Sequence, residues 1–456
     1  MNKFPKNFLW GCATSAPQSE GHSTSSGKSE STWDKWYQLE PEKFYQGQGP
    51  EDTTLMYEYY KDDVQRMVDL GINSFRTSIS WTRLMPDGYS INQEAVKFYR
   101  SYFTELLNAD ILPIVNLFHF DMPWWLMEEG GWESRQSVDY FQRYARTAFE
   151  LFGDLVNNWT TFNEPMVHIE MGYLYGHHYP AIVNLKKAVQ VGYHTLLAHA
   201  KAVEVFRTQK ITDGKIGIIL NVTPAYARSK SAEDTQAREL ADLIKSDSFL
   251  VPCIEGTIPH KLITLLKTNE LMPNVETSDG KIIQDNTVDF IGLNYYQPMR
   301  VQAPNHAKVP AETFEDFFEP YDWPDKRINP HRGWEIYPEA LYDIAMMMKE
   351  RFPQMPWYLA ENGMGVADEK RFKDAYGLIQ DDYRIEFLQE HLGYLSKAIK
   401  EGSQCFGYHT WTFIDCWSWL NGYKNRYGFY ELDLDTQERR MKKSGEWYRE
   451  FISQSN

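Results

Sequence analysis

The sequence predicts a single (β/α)₈ barrel spanning residues 1–456, with long βα loops over the C-terminal face of its strands. Three observations lead there. Short β-branched or apolar runs alternate with stretches of helical apolar spacing, which calls for parallel strands joined by crossover helices. The alternation yields eight candidate strands, the number that closes such a barrel. No internal repeat and no low-complexity linker divides the chain. An open doubly wound sheet is the alternative that this pattern leaves standing.

Phe8 to Ala13 is the first strand. Tyr57 to Leu70 has helical apolar spacing and leads into the β-branched run Ser74 to Ser80. A helix from about Gln93 to Asn108 precedes the apolar run Leu112 to Leu117. Another, around Val138 to Phe152, precedes Asn158 to Phe162. Lys215 to Val222, Val288 to Asn294, Trp357 to Ala360 and Cys405 to Trp411 continue the alternation. Segments 40–55 and 301–330 have no clear periodicity and read as long loops over the face where barrels carry their chemistry.

Composition excludes several classes of function. Apolar residues at 42% and charged residues at 24% describe an ordinary globular chain. The 63 acids against 47 bases give a net charge of −16, and an acidic surface repels a phosphate backbone, so no nucleic-acid partner is expected. No apolar run is long enough to span a membrane. Lys3 and Lys6 stand at the N-terminus without an apolar stretch behind them, so no signal peptide is expected. Cys12, Cys253, Cys405 and Cys416 form no Cys-x-x-Cys pair, which removes a zinc ribbon and suggests buried thiols in a reducing, cytoplasmic compartment. Aromatics at 15% are abundant, and sugar sites are one place where such rings are used.

Three motifs are decoys. Gly21 to Ser29 resembles a phosphate-binding loop, but five residues separate its glycines where four are required, and no strand immediately precedes it. Gly47-Gln48-Gly49 lacks the third glycine of a dinucleotide fingerprint. His177-His178 has no carboxylate at metal-ligand spacing. Neither a metal nor a cofactor is expected.

Two motifs carry chemistry. In Thr161-Phe162-Asn163-Glu164-Pro165 a strand ends in a carboxylate, and Pro165 biases Glu164 toward an extended conformation. In Tyr358-Leu359-Ala360-Glu361-Asn362-Gly363 another apolar strand ends in a glutamate before an Asn-Gly turn. Strands four and seven can bring the two acids together across a barrel mouth. Facing carboxylates are the equipment of glycoside hydrolysis: one protonates the leaving oxygen while the other attacks the anomeric carbon or activates water. Their pKa values must be pushed apart. Arg76, midway along the second strand, can point inward and keep one of them ionised.

Both motifs resemble the catalytic signatures of glycoside hydrolase family 1. The likeness runs from Phe8-Leu9-Trp10-Gly11 to Arg426-Tyr427-Gly428-Phe429. It implies a barrel that cleaves β-glycosides with retention and without a metal, using Glu164 as acid/base and Glu361 as nucleophile about 5–5.5 Å apart. It also implies that Gln18, His119, Asn163 and Trp419 bind sugar hydroxyls, that Tyr296 hydrogen-bonds the nucleophile, that Trp411 lies under the sugar ring and that Arg76 flanks the nucleophile. Two departures stand out. Pro17-Gln18 replaces the family's Tyr-Gln, and His119-Phe120-Asp121 replaces His-Trp-Asp, the latter altering one wall of the glycone pocket.

Ser418 bears on the substrate. Family members acting on plain sugars carry a glutamate there, which would repel a 6-phosphate at a cost of several kcal/mol at intermediate dielectric. Members acting on 6-phosphosugars carry serine, then a lysine and a tyrosine. Tyr427 matches that tyrosine. The lysine's position holds Asn425, and Lys424 is adjacent. The resemblance therefore points to a small-molecule substrate, a 6-phospho-β-glucoside or 6-phospho-β-galactoside. Trp419 resembles the galactoside-type choice. A plain β-glucosidase or β-galactosidase is the alternative that Asn425 favours. A non-catalytic sugar-binding barrel is disfavoured because both acidic motifs are complete. Aglycone preference, oligomeric state and transglycosylation are not legible.

Overall fold

The computed structural model describes residues 4–21, 26–51 and 53–455; His22 to Ser25 of the decoy loop lie outside the described residues. Eight strands build the central sheet: β1 (Leu9–Ala13), β2 (Ser74–Ser78), β3 (Leu112–Phe118), β4 (Asn158–Asn163), β5 (Lys215–Asn221), β6 (Phe290–Asn294), β7 (Trp357–Asn362) and β8 (Cys405–Trp411). Every neighbouring pair is parallel, and β1 pairs with β8 as well as β2, so the sheet closes into a barrel. The open-sheet alternative is thereby removed.

Helices cover the outside of the barrel. In Gln93–Asn108 the Asn92 side chain accepts from the Glu94 N–H, and Ala95, Phe98, Tyr99, Tyr102, Phe103 and Leu106 form the buried stripe that helical periodicity requires. Met56–Leu70 ends on Gly71, whose φ of 78° gives the left-handed cap that glycine adopts without strain. Strands β2, β6 and β7 are buried throughout, as expected of a parallel sheet covered on one face and filled on the other.

Alternation along each strand sorts the core into two layers. Trp357 and Leu359 join the large cluster between sheet and helices. Tyr358 and Ala360 turn the other way and pack with Ile114, Ile219 and Phe290 in a separate cluster that plugs the barrel interior. Gly292 leaves room for that plug: a Cβ there would meet Ile219 at 2.8 Å and Tyr358 at 2.9 Å.

The observed strand ends differ from expectation in instructive ways. The second strand stops at Ser78 rather than Ser80. The Ser80 N–H turns aside to donate to the Tyr99 hydroxyl at 2.7 Å, and a helical turn, Trp81–Leu84, begins with the Trp81 N–H donating to Asp121 at 3.0 Å. Strands β4 and β7 each continue to an asparagine, Asn163 and Asn362. The segment 301–330 is not wholly irregular. Met299–Gln302 pairs with Ala225–Ala227 and Glu319–Pro320 in a small sheet outside the barrel, whose strands are too short to leave a periodic signal. All four cysteines are buried and free.

Candidate active site

The site assembles where the strands end. Asn163 is the last residue of β4 and Pro165 the first of the helix Pro165–Tyr173, leaving Glu164 alone to turn the chain. It does so at φ 47° and ψ 61°, in the left-handed region, and not in the extended conformation expected before proline. Proline disfavours the right-handed helical region for its predecessor, and Glu164, the one residue between strand and helix, takes the left-handed region instead. The cost is about 1–2 kcal/mol for a residue with a Cβ. The Glu164 N–H is held by the Ile219 carbonyl of β5 at 2.8 Å, which helps fix the turn.

Glu361, on β7, is buried. Its Oε1 accepts from Arg76 Nη1 at 2.6 Å and its Oε2 from the Tyr296 hydroxyl at 2.7 Å. Arg76 points inward from β2, wholly buried, and its Nη2 also donates to Asn163 Oδ1. Asn294, the last residue of β6, links the two halves: its Nδ2 donates to Asn163 Oδ1 at 3.1 Å and to Glu164 Oε1 at 2.9 Å. Because Asn163 Oδ1 already accepts twice, its Nδ2 is the donor to His119 Nε2 at 3.3 Å. Burial, reinforced by Arg76, pushes the His119 pKa well below 6.5. A neutral imidazole accepting at Nε2 carries its proton on Nδ1, which has no hydrogen-bond partner among the described residues.

The two carboxyls differ electrostatically. Burial raises the Glu164 pKa to about 8, with the Glu361 charge adding to the rise and only the Asn294 bond and Arg76 opposing it. Burial also raises Glu361, but Arg76 and the Tyr296 hydroxyl bond it directly and favour its anionic form. The proton is therefore favoured on Glu164 and the charge on Glu361.

Aromatic rings wall the space beside this network. Trp411, the last residue of β8, lies near-parallel to the His119 ring at 6.0 Å, and Trp419 does so at 6.1 Å. Trp419 is backed by Trp33 at 4.5 Å, and Phe120 meets its edge at 5.5 Å. Gln18 is buried; it accepts from the Ser15 hydroxyl at 2.7 Å and donates to the Trp417 carbonyl at 2.8 Å, which ties it to the loop after β8. That loop carries Ser418, half-buried, with its N–H donating to the Gly422 carbonyl at 2.8 Å. Tyr427 is buried among Ala13, Trp411 and Cys416.

The structure thus joins Arg76, His119, Asn163, Glu164, Tyr296 and Glu361 in one hydrogen-bonded network, with Trp411, Trp419, Gln18 and Tyr427 around it. It does not bring Lys424 to them. Lys424 is exposed, with its Nζ 5.9 Å from the Tyr45 ring centre. Asn425 points inward instead, buried, and donates to the His331 carbonyl at 3.0 Å. The two-residue strand Asn425–Arg426 pairs with Val366–Ala367, and successive side chains of a strand face opposite ways.

Sequence reasoning missed Asn294. Its signal was there, as a polar residue closing an apolar strand, but an amide at a strand end says nothing of which carboxylate it will reach. It also missed why Gly363 follows Glu361. A Cβ at Gly363 would stand 2.0 Å from the Trp411 carbonyl oxygen, so only glycine lets β7 exit beside β8.

The chain is similar to known glycosidases over its whole length. The chain is 50% identical over 457 residues to the 6-phospho-beta-glucosidase GmuD of Bacillus subtilis, covering 99% of this chain and 98% of that protein. It is 35% identical over 454 residues to Beta-glucosidase A of Thermotoga maritima, covering 99% and 98%. The solved family 1 β-glucosidase from Thermotoga maritima superposes with a TM-score of 0.92 at 34% identity, over 100% of this chain and 98% of that one. Residues 1–456 match the profile of glycosyl hydrolase family 1, and the chain belongs to that family.

Proposed function

We propose that this glycoside hydrolase is a retaining enzyme acting on 6-phospho-β-glucosides, with Glu361 as nucleophile and Glu164 as acid/base. A carboxylate of Glu361 attacks the anomeric carbon as the bond to the aglycone oxygen breaks, and Glu164 gives that oxygen its proton. The resulting glycosyl ester at Glu361 is opened by water. Glu164, now ionised, takes the water's proton while its oxygen bonds the anomeric carbon and Glu361 leaves. The asymmetry of the pair supports these roles: the proton resides where a leaving group must receive it, and the charge where a nucleophile must hold it.

One observation carries the phosphate specificity. Ser418 stands on the loop over the site where a glutamate would repel a dianion, and no acidic residue occurs between Cys416 and Tyr427. The name of the Bacillus subtilis relative supports the same reading. The half-buried indole of Trp419 favours a second reading in which 6-phospho-β-galactosides are also accepted. His119, Asn163, Gln18 and Trp419 are assigned to the sugar hydroxyls and Trp411 to its apolar face. A substrate phosphorylated on entry arrives inside the cell, so the cytoplasm is the proposed compartment.

The test is a paired kinetic assay on nitrophenyl β-glucoside, β-galactoside and their 6-phosphates. A preference of a hundredfold or more for a phosphate, about 2.7 kcal/mol of differential transition-state binding, is the expected result. Equal or better turnover of the plain sugars sinks the reading.

A further inference from the structure

A 6-phosphate needs a cation, and the expected one is missing: Asn425 occupies its position and Lys424 faces Tyr45. What Asn425 does instead is informative. Its Nδ2 holds the carbonyl of His331, in a loop that reaches the site from between β6 and β7. The loop is tight. Ile328 bridges Glu335, the Asn329 N–H donates to the Trp334 carbonyl at 2.8 Å, and buried Asn329 donates to the Gly365 carbonyl at 2.9 Å.

The next residue along is Arg332. Its guanidinium stacks on Trp334, 4.4 Å from the ring centre, and pairs with no carboxylate among the described residues. Its Nε is buried without a partner. Trp334 in turn packs on Tyr296, the residue bonded to Glu361, with ring centres 5.3 Å apart. On its other flank the guanidinium sits beside the Tyr427 hydroxyl and favours that phenol's ionised form against burial. Tyr427 is itself fixed, because Gly365 offers bare backbone to its ring; a Cβ there would lie 2.3 Å from Cζ.

An arginine without a carboxylate partner among the described residues is uncommon in a chain whose acids outnumber its bases. Guanidinium offers planar paired donors, the geometry suited to phosphate oxygens. We propose that Arg332 is the residue that receives the substrate's 6-phosphate, together with Ser418 and Tyr427, and that Asn425 positions its loop. The counter-charge is thus supplied from a different part of the chain than the loop carrying Ser418. This rests on the reading that the substrate is phosphorylated.

The experiment measures kcat/KM for nitrophenyl β-glucoside and its 6-phosphate with the wild type, Arg332→Gln, Arg332→Lys and Asn425→Ala. The expected result is that the phosphate-to-plain ratio falls by roughly 10- to 100-fold in Arg332→Gln, the scale of one hydrogen-bonded charge, mainly through KM. Arg332→Lys, which keeps the charge, recovers part of the ratio, and also serves if the glutamine variant does not fold. Asn425→Ala lowers the ratio less. A wild type that prefers the phosphate while Arg332→Gln keeps that preference overturns the Arg332 assignment alone. Equal loss on both substrates overturns it too, by making Arg332 structural. A wild type without any phosphate preference overturns the reading of the substrate and this proposal with it.

Discussion

Arg76 and Glu361 lie 285 residues apart in the chain and meet at 2.6 Å, the arginine wholly buried and the glutamate nearly so. A buried ion pair of this kind is not stabilising in itself, because desolvation offsets much of the attraction. What it does is fix the charge of one carboxylate and leave the other to take the proton.

Replacing Glu361 by glutamine removes both the proposed nucleophile and the negative charge beside Glu164. Turnover is expected to fall by roughly 10⁴-fold or more with every aglycone. The Glu164 pKa is expected to move down toward the ordinary range, since one contributor to its rise is gone, while burial keeps it from returning fully. Isotope-edited NMR titration of the variant reads the shift; an unchanged Glu164 pKa contradicts the coupling.

In its proposed role as the acid Glu164 must be protonated, so kcat/KM is expected to decline on the alkaline side with an apparent pKa of about 8. Glu164→Gln should lose about 10²- to 10⁴-fold on alkyl glycosides, much less on nitrophenyl glycosides, and should lose the alkaline limb. The same loss on both aglycones counts against Glu164 as the proton donor.

The Tyr296 hydroxyl donates to the Glu361 carboxylate and stabilises its charged form. Tyr296→Phe therefore raises the Glu361 pKa, and the acid limb of the pH–rate profile moves to higher pH. A loss of roughly tenfold or more in kcat should accompany it, the scale of a bond to a charged group. An acid limb that stays in place argues that Glu361 is held by Arg76 alone.

Gly363→Ala forces a methyl group against the Trp411 carbonyl oxygen. The backbone of β7 or β8 must move, at about 1–3 kcal/mol of stability, which a denaturant midpoint measures. Because Glu361 lies two residues upstream and Trp411 walls the pocket, activity is expected to fall further than stability accounts for. Wild-type behaviour on both counts removes the close approach as a constraint.

The barrel was legible because each strand is a run of apolar or β-branched residues between helical patterns, and periodicity survives even when ends shift by a residue or two. The acids were legible from strand-end position and motif. What escaped has a common cause. The backbone of Glu164 depends on how few residues separate β4 from its helix, a constraint that local preference does not encode. Asn294 and Arg332 matter through partners far away in sequence. Lys424 stands just before a two-residue strand and Asn425 begins it, and no periodic signal exists at that length.

Closure of the sheet has a consequence for biosynthesis. Leu9–Ala13 finds its partner in Cys405–Trp411, so the ring of strands cannot be completed until that last strand has left the ribosome, long after the first. Until then β1 and β7 each present a row of unpaired N–H and C=O groups, the kind of edge that recruits other chains. Arg76, Glu164 and Glu361 are made while the barrel is still open, so the carboxylate pair has its residues before it has the closed ring of strands that sets them face to face.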